Sequence, residues 1–148
     1  MILQFIEEDH AAVRDLIGVI GNSEQQAFAA RQEEFARLAA LWRAHGAMMD
    51  GAVHPLMLDS AEGADRVSQA LSLQRQFERL AQELSERQSD PSLSWRDGFS
   101  RLGELFEHQR ALEEVAFMTR VPKLAPERVA DMTRTALAIR SSRAARVA

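Results

Sequence analysis

The sequence predicts an all-α fold, an up-down-up-down four-helix bundle with a short fifth helix at its C-terminal end, and three observations predict it. Apolar residues recur three and four apart over most of the chain, and no run holds a two-residue alternation for long. Turn residues cut this pattern into four long amphipathic segments and one short one. The connections between the long segments are short, which favours antiparallel neighbours. A chain of 148 residues, 46% of them hydrophobic, can bury one core without staples, so residues 1–148 read as a single domain.

Each element follows from its own spacing. The first helix runs from about Ile2 to Ile20, with Ile2, Ile6, Val13, Ile17 and Ile20 on one face. Gly21 and Asn22 end it, and Asn22 or Ser23 caps the next. The second turns Phe28, Phe35, Leu38 and Trp42 inward and reaches about Ala52, ahead of His54-Pro55, where the residue before proline resists the helical region. A loop over 59–63 leads to a third helix from about Asp65 to Arg87, carrying Val67, Ala70, Leu71, Phe77, Ala81 and Leu84. QSDPSLS is a turn, and Ser94 caps a fourth helix bearing Phe99, Leu102, Leu105, Val115 and Met118. Val121-Pro122 breaks that helix, and Pro126 opens a short fifth one, to about residue 140, with Val129, Met132, Ala136 and Ile139.

Composition excludes several classes of function. A net charge of −4 gives no electrostatic case for nucleic acid or an anionic membrane. Arg134, Arg140, Arg143 and Arg146 read as a helix end complementing its own dipole, followed by a solvated tail. Without cysteine there is no disulfide, thiolate metal site or thiol catalysis. Glu7, Glu8 and Asp9 interrupt the opening residues, and no stretch nears the ~18 apolar residues of a membrane span, so the cytoplasm is the expected location. No phosphate loop, nucleophile elbow or paired-acid hydrolytic arrangement occurs, so no catalytic residue and no enzymatic activity are expected.

Four polar residues fall on apolar faces, one per long helix: His10, His45, Gln74 and His108. His10 lies between Ile6 and Val13, His45 three after Trp42, Gln74 three before Phe77, and His108 three after Leu105. Imidazole suits iron, zinc, copper and nickel, and bundle interiors build metal sites from facing helices. Mid-helix residues of all four helices can share one layer. Trp42 and Trp95 read as packing, His54 as a helix-boundary residue, and the acidic clusters Glu7-Glu8-Asp9 and Glu113-Glu114 mostly as solvated faces or helix-end charges.

The segments IEEDHAAVRDLI, LWRAHGAMMDGAVHPLM, LGELFEHQRALEEVAFM and APERVADMTRTALAIR, in this order, resemble the hemerythrin-like family of cation-binding bundles. The resemblance implies four antiparallel helices around a non-haem di-iron centre that binds O2 or NO, senses iron or oxygen, or stores the metal. It places His10, His45 and His108 at ligand positions and Gln74 where another histidine is expected. Bridging acids belong four residues after the histidines, where this chain has Met49 and Leu112; Asp50 and Glu113 follow one position later. Five residues rotate about 140° around a helix, which puts neither acid naturally inward.

The candidate metal ligands are therefore His10, His45, His108, Glu113, Asp50 and Gln74, an incomplete set better suited to one iron ion than to two. The alternative is a bundle without metal, its histidines hydrogen-bonded in the core, that acts through its surface as a regulatory or protein-interaction module. Met49 and Leu112 fit that alternative, because they fill glutamate-sized space without leaving unpaired buried charge. The partner is a metal ion or small gas ligand in the first reading and a protein in the second, with neither nucleic acid nor membrane involved.

Overall fold

The computed structural model describes residues 1–23, 28–87 and 93–147. These residues form five α-helices and no strand: α1 (Ile2–Gly21), α2 (Phe28–Met48), α3 (Ala61–Glu86), α4 (Leu93–Glu113) and α5 (Pro126–Val147). α1 packs on α2, α2 on α3, α3 on α4, and α4 back on α1. A closed ring of sequence neighbours is the arrangement an up-down-up-down bundle requires. α5 lies against α1, α2 and the turn that follows α2.

The core divides into two apolar clusters. One gathers Val13, Leu16, Ile20, Phe35, Leu38, Trp42, Phe77, Leu84, Trp95, Phe99, Leu102 and Phe106. The other holds Ile2, Ile6, Met48, Met49, Val53, Met57, Val67, Phe117, Met132 and Ala136. Buried polar side chains fall between them on every helix of the ring: His10 on α1, His45 on α2, Gln74 on α3, and Gln109 and Glu113 on α4. The bundle is thus two apolar halves separated by a polar layer.

Several boundaries differ from the sequence expectation, each for a local reason. α3 begins at Ala61, because Ser60 caps it with its Oγ accepting from the Gly63 N–H at 3.0 Å; most of the expected 59–63 loop is helix. α5 is 22 residues long and not short. Its apolar periodicity stops near Ile139, but the alanines and arginines beyond are strong helix formers and carry the helix on. Ser94 lies within α4, and the expected cap by its side chain lies outside what is described. The QSDPS turn, residues 24–27 ahead of α2 and the inward placement of the Phe28 side chain lie outside what is described. Val115, expected on the core stripe of α4, is 74% exposed. On α1, Leu16 is buried where Ile17 was expected, and Ile17 packs only partly; on α3, Leu71 is likewise only partly buried.

α2 and α4 end alike. Each continues through one wide π-helical turn, Met49–Val53 after α2 and Glu114–Met118 after α4, then tightens into a 3-10 turn that contains the proline. Wide turns of this kind are rare and concentrate at functional sites. Both lie directly beyond the polar layer.

Candidate metal centre

Three side chains converge at the middle of the layer. His10 Nε2 lies 2.8 Å and His45 Nε2 2.7 Å from the same Glu113 oxygen, Oε1. One ligand atom from each lies within 4.8 Å of the others, and all three residues are buried. α1, α2 and α4 each contribute one donor, projected inward by the helical spacing that carries the core.

The surroundings hold these rings in place. Trp42 stacks on His45 with centroids 4.4 Å apart and planes 10° from parallel. The other ring nitrogen of His45, Nδ1, is 3.0 Å from Asp9 Oδ2. Asp9 in turn accepts from Arg140 Nη1 on α5 at 3.0 Å to each oxygen. A carboxylate only accepts, so His45 Nδ1 carries a proton. In the metal-free cluster Nε2 carries one as well, which makes His45 a cation between two acids.

The titration of the pair agrees with this geometry. Burial opposes the charge on His45, but Glu113 and Asp9 together outweigh it and raise its pKa from 6.5 to about 9. Glu113 is fully buried, which disfavours its charge; the attraction of His45 and the hydrogen bonds from both imidazoles override that and hold it well below the usual carboxylate range.

Glutamines close the layer beside the cluster. Gln109 Nε2 donates to Glu113 Oε2 at 3.0 Å and to Gln74 Oε1 at 2.8 Å, while its own Oε1 accepts from Trp42 Nε1 at 3.3 Å. Gln74 Nε2 donates to the Trp42 carbonyl at 3.0 Å and to Glu78 at 3.1 Å. The Gln74 carboxamide crosses to α2 only because position 46 is glycine; a Cβ there would stand 2.6–2.9 Å from its atoms.

The structure sorts the sequence candidates. His10, His45 and Glu113 come together. Gln74 sits in the same layer but is two hydrogen bonds away from Glu113, through Gln109, and three from the imidazoles. Asp50 points outward, with a side chain 66% exposed and only a 3.6 Å approach to His54 Nδ1. His108 is exposed on the outer face of α4, where it lines a surface groove with Arg66 and Arg120. The inward line of α4 runs Leu102, Phe106, Gln109, Glu113, and His108 lies about 100° of helix rotation away from Gln109. The same offset explains Glu113: it is turned away from His108 but lies one turn beyond Gln109, squarely inward. His54, read as a boundary residue, opens a 3-10 turn yet is buried, its ring 5.4 Å from Phe117. Burial lowers its pKa.

Three residues escaped the sequence reading. Asp9 belonged to a run of acids read as solvated, although it stands seven residues after Ile2 and so within about 20° of a core position. Gln109 stands seven after Leu102 and three after Phe106, the stronger register on α4. Arg140 gave no such signal, because its partner is 131 residues away.

The donor set fits a metal ion. Two imidazoles and one carboxylate suit iron(II) or zinc, with coordination positions left over. His10, His45 and Glu113 would hold the ion, since both imidazoles already approach one carboxylate oxygen and one donor atom of each residue lies within 4.8 Å of the others. With Nδ1–H held by Asp9, the His45 Nε2 lone pair is the one that faces the site.

No curated protein and no solved structure shows a significant match to the chain. The family model of the hemerythrin HHE cation binding domain matches residues 1–121, which span all four helices of the ring and all three converging side chains. By that match and by the fold it covers, the chain belongs to the hemerythrin HHE cation-binding family.

Proposed function

We propose that the protein binds one non-haem iron(II) ion at His10, His45 and Glu113, and that it serves as a metal- or gas-responsive protein and not as an enzyme. The observation that carries this reading is the approach of two imidazole Nε2 atoms, from different helices, to a single buried carboxylate oxygen. Three protein ligands leave the ion open positions for a diatomic ligand such as O2 or NO. A non-catalytic role is supported by burial: His10, His45 and Glu113 are all buried, so a diatomic gas fits this centre better than a bulky substrate.

A second reading rests on its own observation. The imidazoles, Glu113, Gln109 and Gln74 already satisfy one another without an ion, as a metal-free core would require. The bundle would then act through its surface as a regulatory or interaction module.

Anaerobic reconstitution with iron(II), followed by metal analysis and titration with NO under EPR, separates the two. One iron per chain with a ferrous-nitrosyl signal, both lost in His45→Ala, supports the metal reading. Iron far below one per chain and no nitrosyl signal rejects it in favour of the metal-free module.

A further inference from the structure

We propose that α5, which lies beyond the segment matched by the family, is a working part of the metal centre, because Arg140 holds Asp9 in place and Asp9 sets the His45 ring. Ion binding and the docking of α5 are then linked. This inference rests on the metal reading above.

The chain of contacts is continuous. Arg140 Nη1 is equidistant, at 3.0 Å, from both Asp9 oxygens and 3.4 Å from Met48 Sδ, and its guanidinium lies over the Phe5 ring at 4.9 Å. Asp9, with 13% of its side chain exposed, spans from Arg140 to His45 Nδ1. Removing Arg140 leaves a mostly buried carboxylate facing His45 alone. Asp9 is then free to turn toward solvent, and the proton that fixes the tautomer of His45 loses its acceptor. Partners of this kind orient ligating histidines and are worth about 10–100-fold in metal affinity.

The docking of α5 is intimate enough to transmit this. Met132 and Ala136 are buried in the core cluster that includes Met48, Met49 and Val53. Gly51, in the wide turn after α2, is packed so closely by Ile139 that a Cβ would stand 2.5 Å from the Ile139 Cδ1 atom. Ile139 immediately precedes Arg140, so the clamp and the closest helix contact sit side by side. An ion that pulls on His45 acts through Asp9 on the same turn of α5. Thermodynamic linkage requires the converse: whatever weakens α5 docking weakens ion binding by the same factor.

The test uses the full chain and cobalt(II), whose visible spectrum reports its ligands. Cobalt(II) affinity is measured by competition for the parent, Arg140→Gln, Arg140→Lys and Asp9→Asn, and amide exchange in α5 is followed in the parent with and without cobalt(II). The expected result is a loss of about ten-fold or more in Arg140→Gln, with the bound spectrum unchanged and partial recovery in Arg140→Lys. Asp9→Asn should lose affinity as well, and the Asp9→Asn/Arg140→Gln double variant should lose no more than the larger of the two single losses, since one contact chain is cut once. In the parent, cobalt(II) should slow exchange across 132–140. Equal affinity in parent and Arg140→Gln, with α5 exchange unmoved by cobalt(II), overturns the linkage and leaves the metal site standing. A parent that binds no cobalt(II) overturns the metal reading and the linkage together. The exchange measurement needs no variant, so a poorly folded Arg140→Gln does not remove the test.

Discussion

α2 and α4 face each other across the polar layer with the same one-turn spacing and opposite halves of one pair. On α2 and the wide turn that continues it, the layer positions are His45 and Met49; on α4 they are Gln109 and Glu113. In the layer, α2 supplies the histidine without an acid, and α4 supplies the acid without a buried histidine. A chain with both acids and no second ion would bury an unpaired carboxylate in an apolar interior, at a cost of several kcal/mol. With one acid shared between two imidazoles, every charge in the layer has a partner. The difference between the two helices is therefore what makes a one-ion or no-ion layer stable.

The largest effect belongs to the acid of α4. Glu113→Gln removes the charge that balances His45 and the oxygen on which both imidazoles converge. Cobalt(II) or iron(II) binding should be abolished. Breaking a buried pair by deleting one partner costs about 3–5 kcal/mol, which urea unfolding of the metal-free protein would detect. A variant as stable as the parent would mean that the α4 acid does not carry the layer.

The next effect is on pH. The folded pKa of His45, about 9, lies above its ordinary 6.5. A group whose pKa is raised by folding stabilises fully below 6.5 and loses that contribution as pH climbs through 9, here on the order of 3 kcal/mol. Glu113, lowered by folding, contributes above 4.5 and loses its share as pH falls. His54, also lowered, weakens the fold on the acid side as well. The groups that act on His45 include Asp9 and His10 from α1, Glu113 from α4, His54 from the turn after α2, and Arg140 through Asp9. The metal-free protein should be most stable near pH 6.5 and weaken toward 9, and His45→Gln should flatten that alkaline limb. The limb is readable because the chain has neither tyrosine nor cysteine to titrate there. An equally steep decline in His45→Gln would assign it to another group.

Much of this was legible from spacing alone. Helices whose core stripe is strongly periodic showed their class, their order and their inward residues: Ile2, Ile6, His10 and Val13 on α1, Leu38, Trp42 and His45 on α2. On α4 two registers compete, since Leu105 supports both His108 and Gln109 while Leu102 and Phe106 support only Gln109. A histidine is a more conspicuous candidate than a glutamine, and it favours the weaker register. Glu113 stayed a candidate despite that register and not because of it. The Asp9–Arg140 clamp lay beyond reach for a different reason. Periodicity reports which face of a helix is buried; it does not report which distant helix covers that face.

A smaller effect compares the neutral members of the two pairs. Gln109→Leu deprives Trp42 Nε1, Gln74 Oε1 and Glu113 Oε2 of a partner in one step, and buried groups left unsatisfied cost about 1–3 kcal/mol each at most sites. Met49→Leu exchanges one apolar side chain of similar volume for another and should cost less than about 1.5 kcal/mol. Equal costs from the two substitutions would show that the α4 side of the layer is held by packing and not by its hydrogen bonds.

The smallest expected effect discriminates most sharply between the two registers of α4. His108 and Gln109 are adjacent, and their side chains leave the helix about 100° apart, one to solvent and one to the core. If the line through Leu102, Phe106, Gln109 and Glu113 is the inward one, His108→Ala changes stability by no more than about 0.5 kcal/mol, as surface substitutions usually do. Its cobalt(II) affinity and spectrum should match the parent. If His108 is a ligand, the same change must cost affinity and alter the spectrum, while Gln109→Ala should then be nearly silent. The pair of alanine variants thus has opposite signatures under the two registers. The outcome expected from the structure is a silent His108 and a costly Gln109.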